Sequence, residues 1–198
     1  METGGGEFLR SLGHPFDKTY AIEAYPPNVQ FCKEELLPLG IHFLEADGEE
    51  TLPFKDETFD VVTNRHGSYL EEEVYRVLKP GGYFLTQQVG ADNDKELIEL
   101  LTPEHKTSAF PEHYLEKRSK ALKETGFNLL KEEEVYQPIR FYDLGALVWF
   151  AKIIEWEFEG FSVETHKEHL FKAQEILEEK GVLEGQIHRY LLVASKPE

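Results

Sequence analysis

Short apolar runs alternate with helical patterns over the first 135 residues, and this alternation constrains the fold more than any other feature. The apolar runs have strand length and are bounded by turn residues, which predicts five strands. Strands that alternate with helices are typical of a parallel sheet covered by helices on both faces. The predicted strands cover residues 18–23, 41–44, 59–63, 83–89 and 127–135.

Helix signals separate these strands. The helices are predicted at 27–37, 69–78, 94–101 and 112–125. Lys79-Pro80-Gly81-Gly82 is predicted to stop the second helix, and Gly126 to cap the last one.

The pattern changes after residue 135, where aromatic residues become dense and helical periods are longer. Helices are predicted at 143–158 and 164–180, followed by a last strand at 186–194. We therefore expect a core at 1–135, a helical insert or lid at 136–185, and the last strand of the core at 186–198.

Three stretches that carry ligand-binding chemistry are predicted at the carboxyl ends of strands, where open α/β sheets bind ligands. The first is Thr3-Gly4-Gly5-Gly6-Glu7, a flexible turn before a helix. The second is Glu23, 17 residues after Gly6, at a spacing typical of acids that accept hydrogen bonds from ribose hydroxyls. The third is Glu45-Ala46-Asp47-Gly48, whose acid suits the exocyclic amine of a base.

From Glu2 to about Gln88 the chain resembles the class I S-adenosylmethionine-dependent methyltransferases, especially their small-molecule branch. The acid-x-Gly-x-Gly-x-Gly loop of the family is similar to Glu2-Thr3-Gly4-Gly5-Gly6, with Glu2 where a first glycine is usual. Leu52-Pro53-Phe54, Phe59-Asp60-Val61-Val62 and Arg76 to Gly82 also match family patterns. A nicotinamide dinucleotide site fits less well, because Leu9 stands where the third glycine of G-x-G-x-x-G is needed.

This resemblance implies a Rossmann-like sheet with the strand order 3-2-1-4-5-7-6 in the family's count, the last strand antiparallel and the first strand missing or vestigial. It implies S-adenosylmethionine as the cofactor and methyl transfer to a small-molecule acceptor. The residues implied to bind the cofactor are Glu2, Thr3, Gly4, Gly6, Glu23, Ala24, Asp47, Gly48, Asn64 and Arg65.

Residues after the third predicted strand are candidates for the chemical step. His66 has a side chain suited to general-base work near neutral pH, and Tyr69 is a second candidate. The alternative for His66 is that it caps the following helix. Tyr142, Trp149 and Trp156 are predicted to line an apolar acceptor pocket, although aromatic residues at helical spacing are equally typical of plain core.

The net charge of -17 argues against a large nucleic-acid footprint. The longest apolar run, at 144–151, is too short to span a membrane, and Cys32 is the only cysteine. We therefore expect a cytoplasmic monomer or homodimer with no nucleic acid, membrane or metal partner. The alternatives are an RNA or protein methyltransferase, or a cofactor-binding domain without turnover.

The position of the glycine loop leads to one further expectation. In the family this loop follows the first strand, which lies in the middle of the sheet, but here only Met1 and Glu2 precede Thr3. We expect that Met1 is an internal methionine and that a strand precedes it. The alternatives are that neighbouring strands close the gap, or that a partner chain fills it, with weakened cofactor binding.

Overall fold

The computed structural model describes residues 1–104 and 108–198. Two single 3₁₀ turns, Phe16–Lys18 and Leu37–Leu39, accompany the helices and strands. The strands are β1 Tyr20–Glu23, β2 His42–Glu45, β3 Phe59–Arg65, β4 Leu78–Val89, β5 Asn128–Phe141 and β6 Leu183–Ser195. The helices are α1 Glu7–Ser11, α2 Pro26–Glu35, α3 Glu71–Val77, α4 Lys95–Leu101, α5 Leu115–Thr125, α6 Leu144–Ile153 and α7 Lys167–Lys180.

The strands form two groups. β1 and β2 pair in parallel, and the other strands form a sheet of order β3-β4-β6-β5, in which β3 and β4 are parallel. This is the order that the resemblance implies once the first family strand is left out. The predicted α/β Rossmann-like fold with helices on both faces is confirmed.

Two predicted boundaries were wrong for physical reasons. Lys79-Pro80-Gly81-Gly82 does not separate α3 from the next strand but bulges within β4, because Phe59 pairs with Leu78 and Val61 already pairs with Tyr83. The helix predicted at 143–158 ends at Ile153, because the following turn brings Phe158 into the interior.

The strand predicted at 127–135 is longer than expected, since β5 continues to Phe141 through Pro138. Because β5 is the edge strand of its sheet, a proline there leaves no inner ladder bond unmade. Among the residues that the structure describes, no helix has the length and apolar character needed to cross a bilayer.

The chain forms two compact units, each with its own core. The first contains Met1–Gln88, Glu116–Glu133 and Leu191–Glu198, and the second contains Val89–Leu115 and Glu134–Tyr190. Residues 89–115, which the sequence analysis placed in the core, thus group with the predicted insert. One core cluster of the first unit consists of Ala21, Val29, Cys32, Leu36, Ile41 and Phe43. The core cluster of the second unit consists of Leu97, Ile98, Leu101, Phe141, Leu147, Ala151, Phe158, Leu170, Ala173 and Leu183.

A cavity of about 400 Å³ separates β1 from β3 within the first unit, and we call it the inter-strand slot. At one end of the slot the α-amino group of Met1 donates a hydrogen bond to the carbonyl oxygen of Thr63 at 2.8 Å. The backbone N–H of Thr3 donates to the carbonyl oxygen of Ile22 at 3.2 Å. Met1 and Thr3 thus join the two strands as the end of an intervening strand would. The alternative that the neighbouring strands close the gap was wrong, because β1 and β3 do not pair. Val61 lines the slot and is half exposed.

Candidate cofactor-binding site

The glycine loop lies between the carboxyl end of β1 and the start of α1. Gly4 and Gly6 have φ values of +58° and +80°, in the left-handed region that glycine adopts without strain. Gly6 is the N-cap residue of α1, and its carbonyl oxygen accepts the N–H of Arg10 at 3.0 Å. A Cβ built on Gly4 would meet no atom within 4 Å, so the backbone is open to a ligand there.

Glu2 occupies the position at which the family usually has a glycine, and its φ of +52° is also left-handed. An L-residue adopts this conformation at a cost of roughly 1–2 kcal/mol, which explains the family's preference. Burial, followed by the nearby Glu23 carboxylate, raises the pKa of Glu2, while a weak bond of 3.4 Å from the N–H of Gly48 opposes this shift.

Glu23, the last residue of β1, ties the glycine loop to that strand. Its Oε2 accepts the N–H of Gly4 at 2.7 Å, and its Oε1 accepts the N–H groups of Ala24 and Tyr25 at 3.1 and 3.0 Å. The side chain is only 2% exposed, so these bonds satisfy a buried carboxylate. A carboxylate has about four acceptor positions, so Oε2 retains one for a ligand hydroxyl.

Asp47 and Gly48 follow β2, which is the neighbour of β1. Asp47 is half buried, and its Oδ1 accepts the N–H of Glu49 at 2.8 Å. A Cβ on Gly48 would lie 2.3 Å from the carbonyl oxygen of Ser68, so only glycine fits between the loop after β2 and the loop after β3. The predicted acids at the ends of β1 and β2 therefore lie on adjacent strands at the same edge.

A buried polar network fixes the loop after β3. Asn64 is 3% exposed, and its Oδ1 accepts hydrogen bonds from the Gln88 amide and, at 3.4 Å, from the Thr86 hydroxyl. The Gln88 amide also donates to the carbonyl oxygen of Gly67 at 3.0 Å. The sequence analysis did not identify Thr86 and Gln88. The signal was two polar residues two apart in an apolar strand, which places both on one face.

Arg65, His66 and Tyr69 have different environments. Arg65 donates from Nε to the Oε1 atom of Gln87 at 3.2 Å and lies over the ring of Phe8. His66 is exposed with φ of +57°. The capping alternative for His66 was wrong, because the N-cap residue of α3 is Leu70, with no side-chain cap.

Tyr69, by contrast, is buried against Phe84 with Arg118 over its ring. Burial raises the pKa of Tyr69, so its environment favours a packing role over proton transfer.

A second cavity of the first unit, of about 500 Å³, is lined by residues of the glycine loop and of the loop after β3. We call it the loop cavity. Its lining residues include Met1, Glu2, Thr3, Gly4, Gly5, Phe8, Asn64, Arg65 and His66.

The three residues predicted for the acceptor pocket lie in the second unit and at its surface. Tyr142, Trp149 and Trp156 are 70%, 66% and 60% exposed, and they line neither the inter-strand slot nor the loop cavity. Phe158 is core, and Phe150 packs against that core. The lining of an acceptor pocket by these residues stays a prediction.

Comparison with known proteins finds similarity to methyltransferases. Residues 2–86 match the model of the methyltransferase domain family. The chain is 43% identical over 89 residues to a "probable phthiotriol/phenolphthiotriol dimycocerosates methyltransferase 2" of Mycobacterium ulcerans, covering 41% of this chain and 33% of that protein. It is 35% identical over 89 residues to a fatty-acid O-methyltransferase of Mycolicibacterium smegmatis, covering 41% of this chain and 32% of that protein. The chain thus spans about a third of the length of these relatives.

A solved structure from Bacillus halodurans, described as that of a proposed methyltransferase, has the same fold. The TM-score is 0.69 at 21% identity, and the match covers 100% of this chain and 90% of that one.

Proposed function

We propose, from the premise that this chain belongs to the class I S-adenosylmethionine-dependent methyltransferases, that it transfers a methyl group from this cofactor to a small lipid-like acceptor. The membership rests on the methyltransferase domain at residues 2–86 and on the fold of the whole chain. The transfer itself, its acceptor and the residues that perform it are our proposal.

The observation that carries the proposal is the contact between Glu23 and Gly4 beside Asp47. This arrangement fits the cofactor, because Glu23 Oε2 keeps an acceptor position, Gly4 is open, and Asp47 Oδ2 can accept a bond from an amine. In the proposed complex Glu23 accepts a hydrogen bond from one ribose hydroxyl, Asp47 lies on the adenine side, and the loop after β3 contacts the methionine end.

S-adenosylmethionine, when bound, supplies a methyl group already activated for displacement, so the protein chiefly supplies orientation. The Asn64–Gln88 network holds the loop after β3 in one conformation before any ligand binds. Where the acceptor is a hydroxyl, exposed His66 takes its proton as general base. An acceptor that is already an oxyanion needs no base.

The acceptor class follows from the relatives and from charge. The two curated relatives are named for phthiotriol/phenolphthiotriol dimycocerosates and for fatty acids. We transfer from them only the class, a lipid-like molecule with a hydroxyl or carboxyl oxygen. The net charge of -17 opposes the RNA alternative, since phosphate backbones require clustered cations.

Titration calorimetry with S-adenosylhomocysteine tests the cofactor step. We expect Asp47→Ala to weaken binding about tenfold or more, which corresponds to about 1.4 kcal/mol. Glu45→Ala is the matched control, because Glu45 is an exposed acid at the end of β2 that pairs with Lys33 at 2.7 Å. It should change affinity less than twofold. Absence of binding by the unmodified chain contradicts the proposal, and equal effects of the two variants contradict the role of Asp47.

Turnover on a panel of fatty acids, hydroxylated lipids and soluble amines tests the acceptor class. We expect methylation of oxygen acceptors only. His66→Gln should lower kcat for hydroxyl acceptors and leave affinity for S-adenosylhomocysteine unchanged. Turnover of amines alone contradicts the acceptor class, and unchanged kcat contradicts the role of His66.

A further inference from the structure

Both tryptophans of the chain are exposed, Trp149 in α6 and Trp156 in the turn after it. Trp149 and Trp156 are 66% and 60% exposed, and Tyr142 and Ile153 beside them are 70% and 50% exposed. Trp149 and Ile153 are four residues apart within α6 and share one helix face, whereas Tyr142 precedes the N-cap residue Asp143 and Trp156 lies in the turn after the helix. We call Tyr142, Trp149, Ile153 and Trp156 the tryptophan face.

The core of the second unit does not need this face. Leu147 and Ala151 on the other side of α6 are 0% and 1% exposed and belong to the core cluster. Single exposed apolar residues are normal, but four large ones within the short segment 142–156 indicate an interaction surface. Packing within the described chain therefore does not explain the tryptophan face.

The composition of the face selects the kind of partner. Tryptophan and tyrosine combine a large apolar ring with a polar group, and they are enriched where lipid meets water. The exposed charges along this segment are Lys152 and three acids, Asp143, Glu155 and Glu159. This acidic excess opposes an anionic lipid surface. It also opposes a second copy of the chain, whose acids would face the same acids.

We propose that the tryptophan face docks the protein on an electroneutral lipid surface, with the four side chains entering the headgroup region. The inference rests on the proposed function, because a lipid-like acceptor is concentrated at such a surface. It replaces the expectation that the chain has no membrane partner. The attachment is peripheral and requires no spanning helix.

Tryptophan fluorescence tests the proposal without a label, because the chain contains only Trp149 and Trp156. Phosphatidylcholine vesicles should shift the emission to the blue in a saturable titration, with no cofactor present. Vesicle co-sedimentation should give the same affinity. Trp149→Ala with Trp156→Ala should weaken co-sedimentation at least tenfold.

Two single variants keep both fluorophores. Ile153→Ser should weaken the vesicle-induced shift at least threefold. Leu130→Ser is the matched control, since Leu130 is 58% exposed but lies in the first unit. It should leave the titration unchanged. Far-ultraviolet circular dichroism confirms that each variant is folded.

Three results overturn the proposal. They are the absence of any shift or co-sedimentation, binding that occurs only when anionic lipid is added, and a blue shift that grows with protein concentration without vesicles. The last result, with a dimer in sedimentation velocity, assigns the face to a second copy. Failure of the proposed function is distinguishable, because it appears as missing S-adenosylhomocysteine binding while vesicle binding persists.

Discussion

Replacement of Glu23 by alanine should separate the glycine loop from β1. The variant loses three backbone N–H bonds to a buried carboxylate, from Gly4, Ala24 and Tyr25. Each bond to a charged acceptor contributes about 1.5–3 kcal/mol, but the sum overestimates the loss, because removing the charge also removes its desolvation cost. We expect a loss of about 3–5 kcal/mol, because three backbone N–H groups lose their acceptor at about 1–3 kcal/mol each where they stay buried, and water satisfies part of them.

Thermal unfolding measures this loss. At about 2–4 °C per kcal/mol for a chain of this size, Glu23→Ala should melt roughly 6–20 °C lower. Asp47→Ala is the control, because it also removes one acid at a strand end but loses only one backbone bond, from Glu49. That variant should lose no more than about 1 kcal/mol. Glu23→Gln, which keeps one acceptor oxygen, should lie between the two.

Two results refute the reasoning. If Glu23→Ala melts within 2 °C of the unmodified chain, the loss in free energy of unfolding is about 1 kcal/mol or less. The three bonds then do not stabilise the folded state. If Asp47→Ala is equally destabilised, then the loss arises from acid removal at this edge and not from the loop contact.

Two further variants test local packing and charge. Gly6→Ala places a Cβ 2.7 Å from a methyl carbon of Leu36 at φ of +80°, whereas Gly13→Ala at φ of +67° meets nothing within 4 Å. In urea unfolding we expect Gly13→Ala to lower the free energy of unfolding by about 1 kcal/mol, and Gly6→Ala to lower it by about 1–3 kcal/mol more. Equal losses in the two variants would show that the Leu36 side chain moves aside without cost. Burial, followed by the charge of Asp94, raises the pKa of Glu157 from 4.5 to about 7. The folded chain binds the proton of the Glu157 carboxyl more tightly than the unfolded chain does. Proton binding therefore stabilises the folded state fully below pH 4.5, and this contribution is lost as the pH rises to about 7. Between pH 5 and 8 the free energy of unfolding of the unmodified chain should fall by about 2–3 kcal/mol more than that of Glu157→Gln. If the free energies of unfolding of the two proteins change in parallel with pH, the raised pKa of Glu157 is contradicted.

Features that depend on the order of elements along the chain could be predicted from the sequence, whereas contacts that depend on the register between paired strands could not. Strand polarity places the acid at the end of β1 at one edge of the sheet, and the resemblance to the family places the glycine turn at the same edge. The Asn64–Gln88 network joins residues 24 apart on paired strands, and its existence depends on the bulge at residues 79–82. Pro80-Gly81-Gly82 signals an interruption at this point, but the same residues are equally typical of a helix stop and do not specify a bulge within a strand.

The burial of α6 shows a second limit. This helix is apolar around most of its circumference, so periodicity could not decide which side enters the core. The structure buries Leu147 and Ala151, packs Phe150 against the core, and leaves Trp149 in solvent. Volume explains the choice, because small and medium side chains let α6 lie close to the other elements of its unit.

The inter-strand slot also affects the colloidal behaviour of the protein. In the described part of the chain, β1 and β3 each have a single strand neighbour, so beyond the bonds from Met1 and Thr3 each presents an edge without a neighbouring strand beside an apolar cavity. Free edges are templates on which extended segments of other molecules can add. The charge of -17 keeps molecules apart through mutual repulsion, and this repulsion reaches only about 10 Å at 0.1 M salt. Concentrated salt therefore removes the barrier to strand addition while leaving the edges in place, so the purified protein is best kept in dilute buffer.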